Sequence, residues 1–189
     1  MFRLALFASG SGTNVQNICE YFQNHNSIKP VIVLSDKEDA YALERAKHLN
    51  VKSEYFNYIT TSSEVLLEKI KDRKVTHIIL AGYLRLVPSK IIKTFKNKIL
   101  NIHPSLLPKF GGKGFYGHHV HKSVLESNEE ESGITIHLVN EKYDEGKILF
   151  QKSTPIFDND DVASLSSRIH NLEYKYYPQI IEKYLLNQL

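Results

Sequence analysis

The chain has 189 residues, of which 42% are hydrophobic and 24% charged, proportions that give one soluble domain a substantial core. Its net charge of +3 is spread among mixed signs, as at Lys69, Lys71 and Lys74, which argues against a basic face for nucleic acid. No apolar run is long enough to span a bilayer, Met1-Phe2-Arg3-Leu4 has no signal-peptide character, and the single Cys19 forms no intrachain disulfide, so a cytoplasmic protein is expected.

Residues 2–8 form a continuous apolar run, the pattern of a strand buried on both faces in a parallel sheet. Ser9-Gly10-Ser11-Gly12-Thr13-Asn14 follows, then Val15, Ile18, Tyr21 and Phe22 at helical spacing. Cys19 falls within that helix, where a small buried side chain is the expected role rather than a nucleophile. A strand, a glycine-rich turn and a helix N-terminus together bind anions through backbone N–H groups and the helix dipole. The turn is neither G-x-G-x-x-G nor a Walker sequence, which points to a monophosphate. A plain tight turn capped by Thr13 or Asn14 is the alternative.

Strands are expected at 31–35 and 51–56, with a short helix at 41–49 between them. A further helix opens at Ser62, capped by Ser62 or Thr61, and runs to about Arg73. His77-Ile78-Ile79-Leu80-Ala81 forms the next strand, and Pro88 starts a helix over 89–95. This alternation predicts βαβ units and a mostly parallel, twisted sheet flanked by helices, a single Rossmann-like α/β domain. Right-handed crossovers would set the loops after residues 8, 81 and 103 on one edge of the sheet. The apolar segment 82–87 either lines a groove for a flat ligand or docks the following helix.

Ile99-Leu100-Asn101-Ile102-His103-Pro104 brings Asn101 and His103 to one strand face, and Pro104 ends the strand at its ligand-binding edge. An amide beside an imidazole suits carbonyl chemistry, one group holding an oxyanion while the other moves a proton, the alternative being an Asn that caps a turn and a His that packs at the strand end. After Pro108 comes a glycine- and aromatic-rich loop, then His118-His119-Val120-His121 and a helix to about Ser127. Those histidines lack a Cys or carboxylate at zinc spacing, and His121 is expected to orient the loop or contact substrate. Residues 132–139 alternate as a half-buried strand with Thr135 and His137 on one face, and 147–152 return as a C-terminal hairpin. Asp144, in the turn, is the carboxylate to pair with His103, raising the imidazole's pKa, or else it merely starts the turn before Gly146. Asp158 to Asp161 cap a long final helix, interrupted at Pro178, on which Glu173 would by default be solvated.

With these residues assembled, the chain resembles the phosphoribosylglycinamide formyltransferase family over essentially its whole length. The resemblance rests on Gly10-Ser11-Gly12-Thr13-Asn14, Ala81-Gly82-Tyr83-Leu84-Arg85, Asn101-Ile102-His103-Pro104-Ser105-Leu106-Leu107-Pro108 and Tyr143-Asp144-Glu145-Gly146. It implies a single formyltransferase domain over 1–189, with a phosphate-binding half to about residue 100 and a catalytic and folate-binding half from about 101. It also implies that Gly12, Thr13 and Asn14 bind the phosphate of 5-phosphoribosylglycinamide. Leu84, Arg85, Leu86 and Val87 would line the folate pocket together with Asn101. Asn101, His103 and Asp144 would form the catalytic group, and Glu173 would contact the substrate. The family often carries an Arg near position 63, where Ser63 stands here, so that contact is open.

The implied reaction transfers the formyl group of 10-formyltetrahydrofolate, a cosubstrate, to the amine of the ribonucleotide, with no metal and no bound cofactor. In that scheme Asn101 and a protonated His103 stabilise the tetrahedral oxyanion, with Asp144 assisting. The implied partners are these small molecules, with neither nucleic acid nor membrane, for a monomer or homodimer. The alternatives are a 10-formyltetrahydrofolate deformylase and a non-catalytic folate- or nucleotide-binding module.

Overall fold

The computed structural model describes residues 1–189, which divide into two compact units, Met1–Leu100 and Asn101–Leu189. The fold is α/β, and its strands, in chain order β1 (Phe2–Ala8), β2 (Ile28–Ser35), β3 (Lys52–Tyr55), β4 (His77–Leu80), β5 (Ile99–His103), β6 (Glu131–Leu138) and β7 (Ile148–Pro155), hydrogen-bond in the order β3-β2-β1-β4-β5-β6-β7.

In the first unit the order of elements is β1 (Phe2–Ala8), α1 (Thr13–Tyr21), β2 (Ile28–Ser35), α2 (Tyr41–His48), β3 (Lys52–Tyr55), α3 (Ser63–Asp72), β4 (His77–Leu80) and α4 (Ser89–Thr94). β1 pairs in parallel with β2 on one side and β4 on the other, and β2 pairs in parallel with β3. β1 is central and apolar on both faces, and Leu4 through Ala8 are wholly buried. The chain therefore winds outward from β1 to β3 and then returns to β4 on the opposite side. The carboxyl ends of β1 and β4 flank the point where strand order reverses, the usual ligand crevice of an open α/β sheet.

Helix α1 starts differently from either expected cap. Gly12, in the left-handed region at φ 73°, occupies the N-cap position, no side chain caps the helix, and Thr13 is already helical. Gly12 is packed so tightly on Ala42 that a Cβ would collide with its backbone, so the position demands glycine twice over. Helix α3 behaves as expected, the Ser62 hydroxyl accepting from the Val65 N–H at 3.3 Å.

Strand β5 (Ile99–His103) leads into the second unit, which holds α5 (His118–Glu126), β6 (Glu131–Leu138), β7 (Ile148–Pro155) and α6 (Val162–Leu185). β6 and β7 form the expected antiparallel hairpin, and α6 packs on β6 and α5. Gly146 in the hairpin turn lies so close to the Leu138 carbonyl that no Cβ fits there. Pro178 does not interrupt the last helix, contrary to the expectation from sequence. It is buried within α6, and Glu173, Tyr177, Ile180, Ile181 and Leu185 around it are buried too. Packing along that face outweighs the one helical hydrogen bond a proline lacks.

Asp161 caps α6 in a capping box with Ser164, while Asp160 pairs with Arg168 a little over two turns on. The Arg168 hydrogen bonds hold the Asp160 carboxyl well below the usual carboxylate range. Its stabilising contribution is thus present above the unfolded value near pH 4 and fades as pH falls through the lower folded value. Thermal melts of Asp160→Asn are expected to show a lower Tm at pH 7, with the deficit shrinking as the pH is lowered below about 4. A deficit independent of pH would assign the effect to packing.

Candidate functional site

Four polar side chains of the second unit meet at the end of β5. Pro104 follows His103 and stops the strand there, which leaves the imidazole at the strand's mouth, where only 4% of the residue is exposed. Its Nε2 donates to the Phe110 carbonyl at 2.7 Å, and its Nδ1 lies 3.5 Å from Asp144 Oδ2. Because a carbonyl only accepts, Nε2 carries the hydrogen, and in the neutral ring Nδ1 is the basic atom.

Asp144 is not simply a turn residue. It adopts the left-handed backbone region at φ 55°, which Asp tolerates better than most residues, and the Gly112 N–H donates to its Oδ2 at 2.9 Å. This holds the carboxylate between two imidazoles, with Oδ1 3.6 Å from His137 Nε2. Asn101 Nδ2 lies 3.1 Å from the same His137 nitrogen and makes a longer contact of 3.4 Å to Asp144 Oδ1. His137 Nδ1 donates to the Leu138 carbonyl at 2.9 Å, so in the neutral ring Nε2 is the acceptor for Asn101. In that tautomer one Asn101 hydrogen is committed to His137. The other, bound only weakly, is the donor that remains for a ligand.

The charge state of His103 differs from the sequence expectation. Burial pushes its pKa down, and although Asp144 and the Phe110 carbonyl push it back up, His137 opposes them and the net result lies below the ordinary 6.5. Desolvation wins because the ring is almost wholly enclosed. In Asp144, burial would raise the carboxyl, but His137, His103 and the Gly112 N–H outweigh it and leave the pKa lowered. At neutral pH the site therefore holds an ionised carboxylate beside a neutral imidazole.

A layer of hydrogen bonds sets the loop that carries these partners. The Thr135 hydroxyl donates to the Ser105 carbonyl at 2.7 Å and accepts from the Leu107 N–H at 3.0 Å, while Gln151 Nε2 donates to both Thr135 Oγ1 and the Leu107 carbonyl at 2.9 Å. Ser105 Oγ donates in turn to the Lys109 carbonyl at 2.9 Å, one residue before the Phe110 carbonyl that receives His103.

From the sequence pattern His137 lies on a strand face with no role of its own. The alternation of residues 132–139 was a signal for its orientation, yet its neighbour across the sheet depended on strand order. Glu173, expected by default in solvent, is only 6% exposed and sits beside the fully buried Tyr177, whose hydroxyl pKa is driven upward by burial and by Glu173. His118 and His119 are exposed, their rings 4.0 Å apart, whereas His121 is buried and its Nδ1 has no hydrogen-bond partner. Burial and the charges of His170, His103 and His118 lower the His121 pKa to about 4. No group of three His, Cys, Asp or Glu residues is placed to hold a metal ion. Buried Cys19 has its thiol pushed up to about 12 by burial and by Glu20, which leaves no thiolate for nucleophilic chemistry at neutral pH.

In the first unit the glycine-rich turn and the segment after β4 are neighbours at the strand-order reversal. Ser9 N–H donates to the Gly82 carbonyl at 2.9 Å, and Leu84 N–H donates to Ser9 Oγ at 3.0 Å. Gly12 and Thr13 lie at the start of α1 with buried Asn14, and Arg45 braces the turn by donating to the Ser11 carbonyl at 2.9 Å and to the Gln16 side chain. Leu84 and Arg85 are exposed and Val87 is buried. Ser63 opens α3 next to its cap Ser62.

Comparison with known proteins gives these features a family. The sequence model of the formyl transferase family matches residues 2–181. The chain is similar to the chloroplastic phosphoribosylglycinamide formyltransferase of Arabidopsis thaliana, with 38% identity over 95% of this chain, although it spans only 64% of that protein's length. It is 35% identical to the phosphoribosylglycinamide formyltransferase of Haemophilus influenzae, covering 96% of this chain and 86% of the relative. Among solved structures, the phosphoribosylglycinamide formyltransferase of Bacillus halodurans superposes with a TM-score of 0.88 at 32% identity, covering 97% of this chain and 95% of that one. With the family sequence spanning nearly all of its length and the fold shared with solved members, this chain belongs to the formyl transferase family.

Proposed function

We propose that this chain transfers the formyl group of 10-formyltetrahydrofolate to the amine of 5-phosphoribosylglycinamide, a step of purine biosynthesis. The observation that carries the reading is the group formed by Asn101, His103 and Asp144, in which an amide donor, a neutral imidazole and an ionised carboxylate lie within hydrogen-bonding reach or nearly so. Formyl transfer needs those three functions and no electron acceptor. The names and full-length similarity of the bacterial relatives support the substrate pair.

In this mechanism the neutral amine attacks the formyl carbon, and charge develops on the formyl oxygen. The second Asn101 N–H, only weakly engaged by Asp144, donates to that oxygen. His103 accepts the proton released by the attacking nitrogen at Nδ1, directly or through one water. The resulting imidazolium lies between the Phe110 carbonyl and the Asp144 carboxylate, both of which favour its charge. It then returns the proton to N10 as the C–N bond breaks, releasing tetrahydrofolate. The resting neutral state replaces the protonated His103 expected from sequence, and it makes the residue first a base and then an acid.

The ribonucleotide phosphate is assigned to Gly12, Thr13 and Asn14, where the start of α1 has no side-chain cap competing for its N–H groups. The folate is assigned to Leu84, Arg85, Leu86 and Val87 in the first unit, and the donor to its formyl group is Asn101 in the second. Glu173, as a buried carboxylate, suits a contact to the glycinamide end. The first unit thus carries the phosphate and the second the chemistry, with 84–87 as the folate segment of the first. A cytoplasmic enzyme, acting as a monomer or homodimer, is part of the same proposal.

The direct test is product analysis with 10-formyltetrahydrofolate in the presence and absence of the ribonucleotide. Turnover is expected only when it is present, with formyl on its amine; release of formate without it would make the chain a deformylase, and binding without turnover a non-catalytic module. Asn101→Ala is expected to lower kcat by about 10²–10³ with folding intact, as for loss of one oxyanion donor. The pH profile of kcat/KM should fall on the acid side below the ordinary histidine range, because His103 must be neutral to act. Asp144→Asn removes a charge that raises the His103 pKa, so the residual activity of that variant should show its acid limb moved to still lower pH. A limb moved upward, or unmoved, would detach it from His103.

A further inference from the structure

The segment 84–86 is tied down by three side chains that each come from a different part of the first unit. Leu84 N–H is held by Ser9 Oγ, just past β1, at 3.0 Å. Ser9 Oγ itself donates to Asp36 Oδ1 at 2.5 Å, just past β2. The other Asp36 oxygen receives Arg85 Nε at 3.1 Å. The Arg85 guanidinium also lies over the Tyr58 ring, 5.3 Å from its centroid, and the Tyr58 hydroxyl donates to the Leu86 carbonyl at 3.3 Å. Three consecutive residues are therefore fixed by Ser9, Asp36 and Tyr58.

The exposure of the ion pair is uneven. The Asp36 side chain is 1% exposed and that of Arg85 46%. A carboxylate is rarely left so buried without a structural need, because desolvating it is unfavourable unless hydrogen bonds compensate. Here the compensation comes from Ser9 and Arg85, the two residues that reach the segment.

We propose that Asp36, acting through Ser9 and Arg85 and helped by Tyr58, is a positioning residue that presets segment 84–87 for the folate. This rests on the assignment of that segment to the folate. With Leu84 N–H and the Leu86 carbonyl already engaged inside the protein, the neighbouring backbone groups of Arg85 and Val87 are held in place for the ligand. A ligand that binds such a preset segment avoids the ordering it would otherwise have to impose. The Arg85 side chain in this arrangement is a tether rather than a ligand for the folate.

Asp36→Asn keeps the shape of the side chain while removing its charge. Steady-state kinetics are expected to show the KM for 10-formyltetrahydrofolate raised roughly five- to tenfold, with kcat and the ribonucleotide KM within about twofold of the parent. Amide hydrogen exchange on the same proteins should be faster over residues 82–87 and unchanged over α1. Tyr58→Phe, which removes only the bond to Leu86, is the milder variant should Asp36→Asn fold poorly, and its folate KM should move in the same direction. In the double variant Asp36→Asn with Arg85→Gln, the folate KM should be no higher than in Asp36→Asn alone, because the pair acts as one unit. An unchanged folate KM in Asp36→Asn alongside a raised one in Arg85→Gln would overturn the proposal and make Arg85 a direct ligand. Equal rises in both KM values would overturn it in favour of general destabilisation. Absence of folate turnover in the parent protein would instead overturn the functional assignment, while faster exchange at 82–87 in Asp36→Asn would still identify the tether.

Discussion

Asp144 is the constraint on which the polar cluster of the second unit depends. Its backbone is held at φ 55° and its Oδ2 is fixed by the Gly112 N–H. Left-handed geometry in a residue other than glycine is unfavourable by about 1–3 kcal/mol, so the surrounding turn has to over-determine it. Gly146, whose approach to the Leu138 carbonyl leaves no room for a Cβ, closes that turn on β6. The carboxylate then faces His103 and His137 at once, and Asn101 completes the ring of contacts.

The charge state of this group is a competition between desolvation and neighbouring charge. A carboxylate next to an imidazole ordinarily stabilises the imidazolium, but His103 is so enclosed that burial prevails. The consequence is chemical. In the proposed transfer, a neutral His103 with its Nε2 hydrogen fixed on Phe110 offers Nδ1 as the base, and Asp144 stabilises the ring once that base has taken its proton. The same carboxylate that fails to charge the resting ring is positioned to stabilise it when charged.

The first unit applies a different solution to a related problem. At the strand-order reversal, side chains join backbone hydrogen bonds in bracing the loops after β1 and β4. Ser9 holds Leu84, Asp36 holds Ser9 and Arg85, Arg45 holds the Ser11 carbonyl, and Tyr58 holds the Leu86 carbonyl. Loops at this edge of an open sheet gain rigidity in this way without becoming part of the sheet.

Much of this was legible in the residues themselves. The apolar run of β1, the period of the helices, the Pro104 stop after His103 and the hairpin around Asp144 are local patterns, set by burial and backbone sterics within a few residues, and they determined the α/β class, the motifs and the family resemblance. What the tertiary structure alone decided depends on atoms distant in sequence. His137 gained its role because strand order brings it to Asn101, Gly12 displaced Thr13 and Asn14 as the cap of α1 under the packing of Ala42, and α6 passed Pro178 because its buried face continues. The neutral state of His103 belongs to the same class, since desolvation is a property of the enclosing fold and no spacing of residues encodes how completely a ring is buried.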